Sequence, residues 1–333
     1  MTGPTRPRVK KGLTSIVVPL LNEAASLWRL YEEIVRAVPG ELEILFVDDG
    51  STDESFTILC AMQERDARVR AFRLRGRRGK AVALAVGFYF ARGDSIVTLD
   101  ADLQDDPGDI PLFLAKLEEG YDVVSGHRLN RQDTRFRKVA SVVFNVVASL
   151  MCGHRFHDMA GGFKAYRPAV VKELRLHGGL HRFIPVLAAA RGFRATELRV
   201  VHRPRPHGGS RYGASRYLHA FVDCLAVVYD VRFGTSPGRP FTILGLGIIA
   251  LGGLMAIAVG SRVGLAWRVS LVSLHTVAGL LLLAQGLVAE RARSAPQPES
   301  EPWPLREVLE GEVLEVPPGA RVNPAPVREG VRG

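Results

Sequence analysis

Through most of the chain, short apolar runs alternate with stretches whose apolar residues recur every three or four places. Thr14 to Leu20 (TSIVVPL), Glu43 to Val47, Val69 to Leu74, Ile96 to Leu99 and Asp122 to Ser125 are short and rich in β-branched residues, and they read as strands. Between the first two, Leu27, Leu30, Tyr31, Ile34 and Val38 keep helical spacing up to Pro39 and Gly40. The acidic loop after Val47 predicts a helix capped by Ser51 or Thr52, the basic loop RGRRGK leads into a helix over Ala81 to Ala91, and Pro107 opens another with Asp106 as its cap. A helix around Phe183 to Arg191 and a strand around Thr196 to Val201 follow. Strands alternating with helices imply an α/β, doubly wound, mostly parallel sheet.

The pattern changes in the last third. Phe241 to Val259 and Val269 to Ala289 are apolar, contain no acidic or basic residue, and have close to the ~20 residues a bilayer requires. The joining SRVGLAWR is short, so the two form a hairpin, with His275 and Gln285 tolerated by facing the partner helix. Basic residues gather before Pro240 and at Arg291 and Arg293, which puts the main domain and both termini in the cytosol, at the inner or plasma membrane. Two segments suit the membrane interface: the one carrying Arg128, Arg131, Arg135, Arg137 and Lys138, and Tyr217 to Tyr229. Residues 291–333, rich in Pro, Glu and Arg, read as disordered. The expected organisation is a basic tail (1–12), a catalytic domain (13–213), interfacial helices (214–240), two membrane helices (241–290) and the disordered tail.

Charge and chemistry sharpen this. A net charge of +10 favours anionic partners, and the apolar spans favour a membrane or phosphorylated substrate over nucleic acid. The 3 cysteines lack metal or disulfide spacing. No GxGxxG or P-loop follows the first strand, which argues against a nicotinamide enzyme or a P-loop NTPase. Acidic loops end the strands instead, and Asp100-Ala101-Asp102 after the Ile96 strand is the strongest feature. At the carboxyl end of a buried strand, such carboxylates suit Mg²⁺ or Mn²⁺ bridging the phosphates of a nucleotide.

Taken together, SIVVPLLNE, VDDGSTD, DADLQ, the arginine after VVSG, DMAGGFK and RPHGGSR resemble the family 2, GT-A fold glycosyltransferases that act on polyprenyl phosphates. The resemblance implies that Pro19, Leu21, Glu23, Val47, Asp48 or Asp49, Lys80, Asp100, Ala101, Asp102 and Gln104 serve the nucleotide-sugar, with Asp102 and Asp100 at the metal. Leu21 departs from the aromatic residue of many relatives. Arg128 would bridge donor and acceptor phosphates, Arg137 and Ser141 would hold the acceptor phosphate, and Arg205 and Arg211 would close over the donor. Arg211 replaces the usual lysine, so a forked guanidinium stands where a point charge is usual. Asp158 corresponds to an aspartate proposed as base. A phosphate acceptor is already anionic, however, so an orienting role suits Asp158 better.

The implied reaction inverts a sugar from a nucleotide-sugar, with UDP-sugars preferred over GDP-mannose, onto a polyprenyl phosphate at the cytosolic face. Relatives with such hairpins assemble, so a homo-oligomer up to a tetramer is among the implied states. Two other readings stand beside this one: a transferase extending a saccharide, and a non-catalytic nucleotide-sugar binding protein.

Overall fold

The computed structural model describes residues 7–38, 40–128, 156–159, 161–174, 176, 178–204, 215–259, 264–294 and 305–309. In chain order the strands are β1 (Lys10–Leu20), β2 (Glu41–Asp48), β3 (Val69–Leu74), β4 (Gly93–Thr98), β5 (Val123–Arg128), β6 (Lys164–Tyr166), β7 (Ala195–Val200) and β8 (Leu305–Leu309). The helices are α1 (Leu27–Ala37), α2 (Ser55–Arg65), α3 (Lys80–Phe90), α4 (Ile110–Glu118), α5 (Pro168–Glu173), α6 (Ile184–Ala190), α7 (Ser215–Phe233), α8 (Arg239–Val259) and α9 (Leu265–Ser294).

The strands form one sheet in the order β7-β5-β6-β4-β1-β2-β3-β8. β1 pairs in parallel with both β2 and β4, so the chain winds outward in opposite directions from β1. A crevice opens at such a reversal, outside the carboxyl ends of the strands. Alternate strand residues feed two cores. Val17, Leu45, Phe72 and Ile96 face α3, α5 and α6, whereas Ile16, Ile44, Phe46 and Val97 face α1, α2 and α4.

Two strands make the sheet mixed. The glycine-rich segment from Asp158 to Tyr166 is not only a turn, because Lys164–Tyr166 is β6, wedged antiparallel between β4 and β5. The tail expected to be disordered supplies β8, antiparallel to β3. Its reason is the open β3 edge, which needs covering. Leu305 and Leu309 pack on the two cores, Arg75 Nε donates to Leu305 O at 3.0 Å, and Glu307 meets Arg73 at 3.2 Å.

The expected cap of α2 is also displaced: the helix starts at Ser55, with Asp53 Oδ1 accepting from its N–H at 3.0 Å. Ser51 instead takes the N–H of Asn22 at 2.8 Å. Asp106 caps as expected, but over a 3-10 turn, Pro107–Asp109, that precedes α4.

α8 and α9 are long and apolar enough to cross a membrane, and they pack as a hairpin with exposed Ile243, Leu254, Ile257, Leu274, Leu281 and Leu287. Glycines permit the close approach. A Cβ at Gly279 would lie 2.5 Å from Gly245 O, and one at Gly252 would lie 2.5 Å from His275 Cβ. His275 thus faces the partner helix, its ring Nδ1 2.8 Å from Leu271 O. Gly279→Leu is expected to force the helices apart at a cost of about 1–3 kcal/mol. The check is the unfolding midpoint in detergent, and an unchanged midpoint would show that the hairpin does not depend on this contact.

Candidate active site

The loops after β1, β2 and β4 meet at the reversal, and they are tied to one another. Asn22 Oδ1 accepts from Thr52 N–H at 2.7 Å, and Ser55 Oγ accepts from Glu23 N–H at 3.0 Å. Ser26 Oγ donates to Ala101 O at 2.6 Å, which joins the first loop to the Asp100–Asp102 turn. Asn22 and Leu103 adopt left-handed φ values of 53° and 60°. Asn tolerates this, but for buried Leu103 it is strain of the kind that clusters at functional sites.

The paired aspartates after β2 do different work. Asp48 is fully buried; its Oδ1 accepts from Ser51 N–H at 2.8 Å, and its Oδ2 lies 3.4 Å from Arg73 Nε. Asp49 accepts from the N–H groups of Arg78 and Gly79 at 2.6 and 2.9 Å and so holds the basic loop. Burial pushes its pKa up, against those N–H bonds. Pro19 and Ala101 are buried, and Val47 lies wholly in the core. The Val47 side chain therefore offers nothing to a nucleotide. Leu21, Asn22 and Glu23 stay partly exposed at the crevice.

Asp100 is ion-paired with Lys80, and each side chain keeps about a third of its surface exposed. Burial raises the Asp100 pKa, but Lys80, Arg128 and Lys164 outweigh it and hold it below the usual carboxylate range. Asp102 is half-buried, its Oδ1 accepting from Gln104 N–H at 3.2 Å. Gln104 is fixed by Arg203, whose N–H donates to Gln104 O at 2.8 Å and whose guanidinium reaches Glu33 at 2.7 Å and Asp106 at 2.5 Å.

The residues fit a divalent cation. Hard carboxylate oxygens end a buried strand, and Gly162 keeps the space open, since a Cβ there would fall 2.3 Å from Asp100 Oδ1. Lys80 already pairs with Asp100.

Arg128 ends β5 and makes a forked pair with Asp158, Nε to Oδ2 at 2.6 Å and Nη2 to Oδ1 at 2.9 Å. Asp158 is 2 % exposed and Arg128 15 %. Burial lowers the Arg128 pKa, but the bonds and charge of Asp158 carry it above its ordinary value. Both Asp158 oxygens accept from this guanidinium. Arg137, Ser141, Arg205 and Arg211 lie outside the described residues.

Two side chains had no role in the sequence reading. Lys164, 2 % exposed, sits on β6 opposite Thr98 and donates to Gly161 O. Its signal was a lysine between apolar Phe163 and Ala165. Burial, then Lys80 and Arg128, pull its pKa down to about 7. His181 lies in the 3-10 turn Leu180–Phe183, its Nδ1 buried and without a hydrogen bond. Burial and the neighbouring cations Lys80, Arg182 and Lys164 bring its pKa down to about 3, so it is neutral.

The lysine carries a pH prediction. Because its folded pKa lies below the unfolded 10.5, the unfolded chain binds more protons between about pH 7 and 10.5. Stability therefore rises with pH across that window by up to about 1.4 kcal/mol per pH unit, and the penalty is fully present below it. Lys164→Met should be the more stable protein at pH 6.5 and lose that advantage by pH ~10. Denaturant midpoints at several pH values decide it; parallel curves would show that Lys164 does not titrate in that window.

Comparison with known proteins agrees with the geometry. Residues 15–175 match the family described as "Glycosyl transferase family 2". A dodecaprenyl-phosphate galacturonate synthase of Rhizobium johnstonii is 37% identical over 254 residues, covering 74% of this chain and 75% of that protein. An undecaprenyl-phosphate 4-deoxy-4-formamido-L-arabinose transferase of Pseudomonas paraeruginosa is 35% identical over 290 residues, 84% of each chain. Among solved structures, glucosyl-3-phosphoglycerate synthase of Mycobacterium tuberculosis, in complex with Mn²⁺, UDP-glucose and phosphoglyceric acid, superposes with a TM-score of 0.53. It is 19% identical, covering 65% of this chain and 79% of that one, a likeness of fold.

Proposed function

The chain belongs to glycosyl transferase family 2, and from that premise we propose that it moves a sugar from a nucleotide-sugar, preferably a UDP-sugar, to a polyprenyl phosphate at the cytosolic membrane face, with inversion. The observation that carries the reading is the Arg128–Asp158 fork beside the Asp100–Lys80 pair, in a chain that continues into an apolar hairpin. The relatives' polyprenyl-phosphate names support the acceptor, and the UDP-glucose complex of the structural neighbour supports a uridine donor.

The donor lies across the carboxyl ends of β1, β2 and β4, its base against the Leu21–Glu23 and Asp48–Asp49 loops. Asp102, with Asp100 beside it, would hold Mg²⁺ or Mn²⁺, which would supply charge neutralisation at the diphosphate. Lys80 and Arg128 add fixed positive charge where the leaving group becomes more negative. Asp158 spends Nε and Nη2 of Arg128, so the remaining N–H groups are the donors available to the acceptor phosphate. That phosphate is already anionic at neutral pH and attacks without a protein base. By the resemblance alone, Arg137 and Ser141 would serve the acceptor phosphate, and Arg205 and Arg211 the donor. α8 and α9 cross the bilayer, so the site meets the lipid head group in two dimensions, in a multi-pass protein with both termini cytosolic.

The test is direct. Detergent-solubilised protein with Mn²⁺ or Mg²⁺ and undecaprenyl phosphate is offered UDP-glucose, UDP-N-acetylglucosamine, a UDP-uronate and GDP-mannose one at a time, and the glycolipid is sought by mass. A product with one donor, absent with EDTA, establishes the reaction and names the sugar. Nucleotide binding without product from any donor would overturn lipid-phosphate transfer in favour of a binding role.

A further inference from the structure

The ends of β5 and β7 carry a second cluster of donors that the proposed transfer does not use. His127 precedes Arg128 on β5 and so faces the opposite side of the sheet from it. β5 and β7 pair in parallel with Ser125 opposite Glu197 and His127 opposite Arg199, which makes Glu197 and His127 diagonal neighbours on one face. The turn before Asp158 brings in His157 as the third member. One ligand atom from each of the three lies within 4.8 Å of the others.

The cluster is organised rather than incidental. The Glu197 carboxylate accepts from the N–H of His157 at 2.9 Å and from the N–H of Asp158 at 3.0 Å, so backbone fixes its position. Its Oε2 lies 2.7 Å from His157 Nδ1. The rings of His127 and His157 stack at 5.2 Å and 15°. The His157 side chain is 72 % exposed, so the site is open to an ion from solution.

Two imidazoles and one carboxylate are the donor set of a borderline transition metal, and Mg²⁺ prefers oxygen alone. We propose that His127, His157 and Glu197 bind a Zn²⁺-class ion, at a site separate from the Asp102 cation. The ion replaces the proton shared between His157 Nδ1 and Glu197 Oε2, and water completes the fourth position. Exposed Arg199 across the strand pair repels it, which sets the affinity below that of a closed structural zinc site. A bound ion clips β5, β7 and the turn carrying Asp158 together, so it stiffens the support of Arg128.

The experiment uses the full-length protein in detergent, stripped with EDTA and dialysed, and carries Asp102→Asn to silence the other site. Zn²⁺ is titrated calorimetrically under excess Mg²⁺, and Co²⁺ replaces it as a visible-absorption probe. The expected result is one Zn²⁺ per chain, tetrahedral Co²⁺ bands and a raised melting midpoint. His157→Asn, at an exposed position, should leave the metal-free midpoint unchanged and weaken Zn²⁺ by about tenfold or more, as should His127→Asn. Zn²⁺ binding that is absent under excess Mg²⁺, or as tight in both histidine variants as without them, overturns the proposal. Glycosyl transfer takes no part in the readout, so the outcome is independent of the reaction proposed above.

Discussion

Asp102→Asn is expected to lower transfer by about 10²–10³-fold while leaving the fold intact. The side chain is half-buried, its Oδ1 accepts from Gln104 N–H, and an amide oxygen can still accept that bond. What asparagine removes is the negative charge proposed to hold a divalent cation beside the diphosphate. Steady-state rates across a Mn²⁺ series, beside a thermal midpoint, decide the matter. A variant that keeps its midpoint, loses turnover and is only partly rescued by more Mn²⁺ would place the metal on Asp102. Full activity would move it elsewhere and leave Asp102 as a loop-forming residue.

The Arg128–Asp158 fork should give the second large effect, and the two partners should fail differently. Arg128→Ala strands a carboxylate that is 2 % exposed, and breaking a pair of this kind costs about 3–5 kcal/mol. With Arg128 15 % exposed, the lower end of that range applies. Arg128→Lys keeps the charge but loses the fork, so it should fold better than Arg128→Ala and still transfer poorly, with the loss in acceptor KM. Asp158→Asn separates orientation from base catalysis. If Asp158 orients, the pH profile of kcat keeps its shape and acceptor KM rises. If it is a base, kcat itself collapses and the acidic limb of its profile disappears.

Much of the site was legible because its parts are local in sequence. Strand β3 spans the residues that its apolar run predicted, and Asp106 caps the turn that Pro107 opens. Asp100, Ala101 and Asp102 follow a buried strand, and hydrophobic periodicity alone shows that. Where the reading went astray, partners distant in sequence had decided. Ser51 stands where a helix cap is usual, but Asn22, on another strand's loop, takes its hydroxyl. Residues 305–309 look unstructured by composition, yet they pair with β3, because an exposed sheet edge recruits a short alternating segment that would not be a strand alone. Lys164 was visible as a residue but not as a buried charge, since its burial arises only when β6 inserts between β4 and β5.

By itself, then, the sequence determined the alternation of strands and helices, the acidic ends of the strands, the two apolar spans and the family. Each is written in periodicity or in contiguous motifs. The tertiary structure alone decided that Lys80 sits on Asp100, that Asp158 spends its oxygens on Arg128, and that His127, His157 and Glu197 converge. Those contacts join residues 20 to 70 positions apart, and the energy of a charged contact depends on distance and burial, which no local pattern encodes.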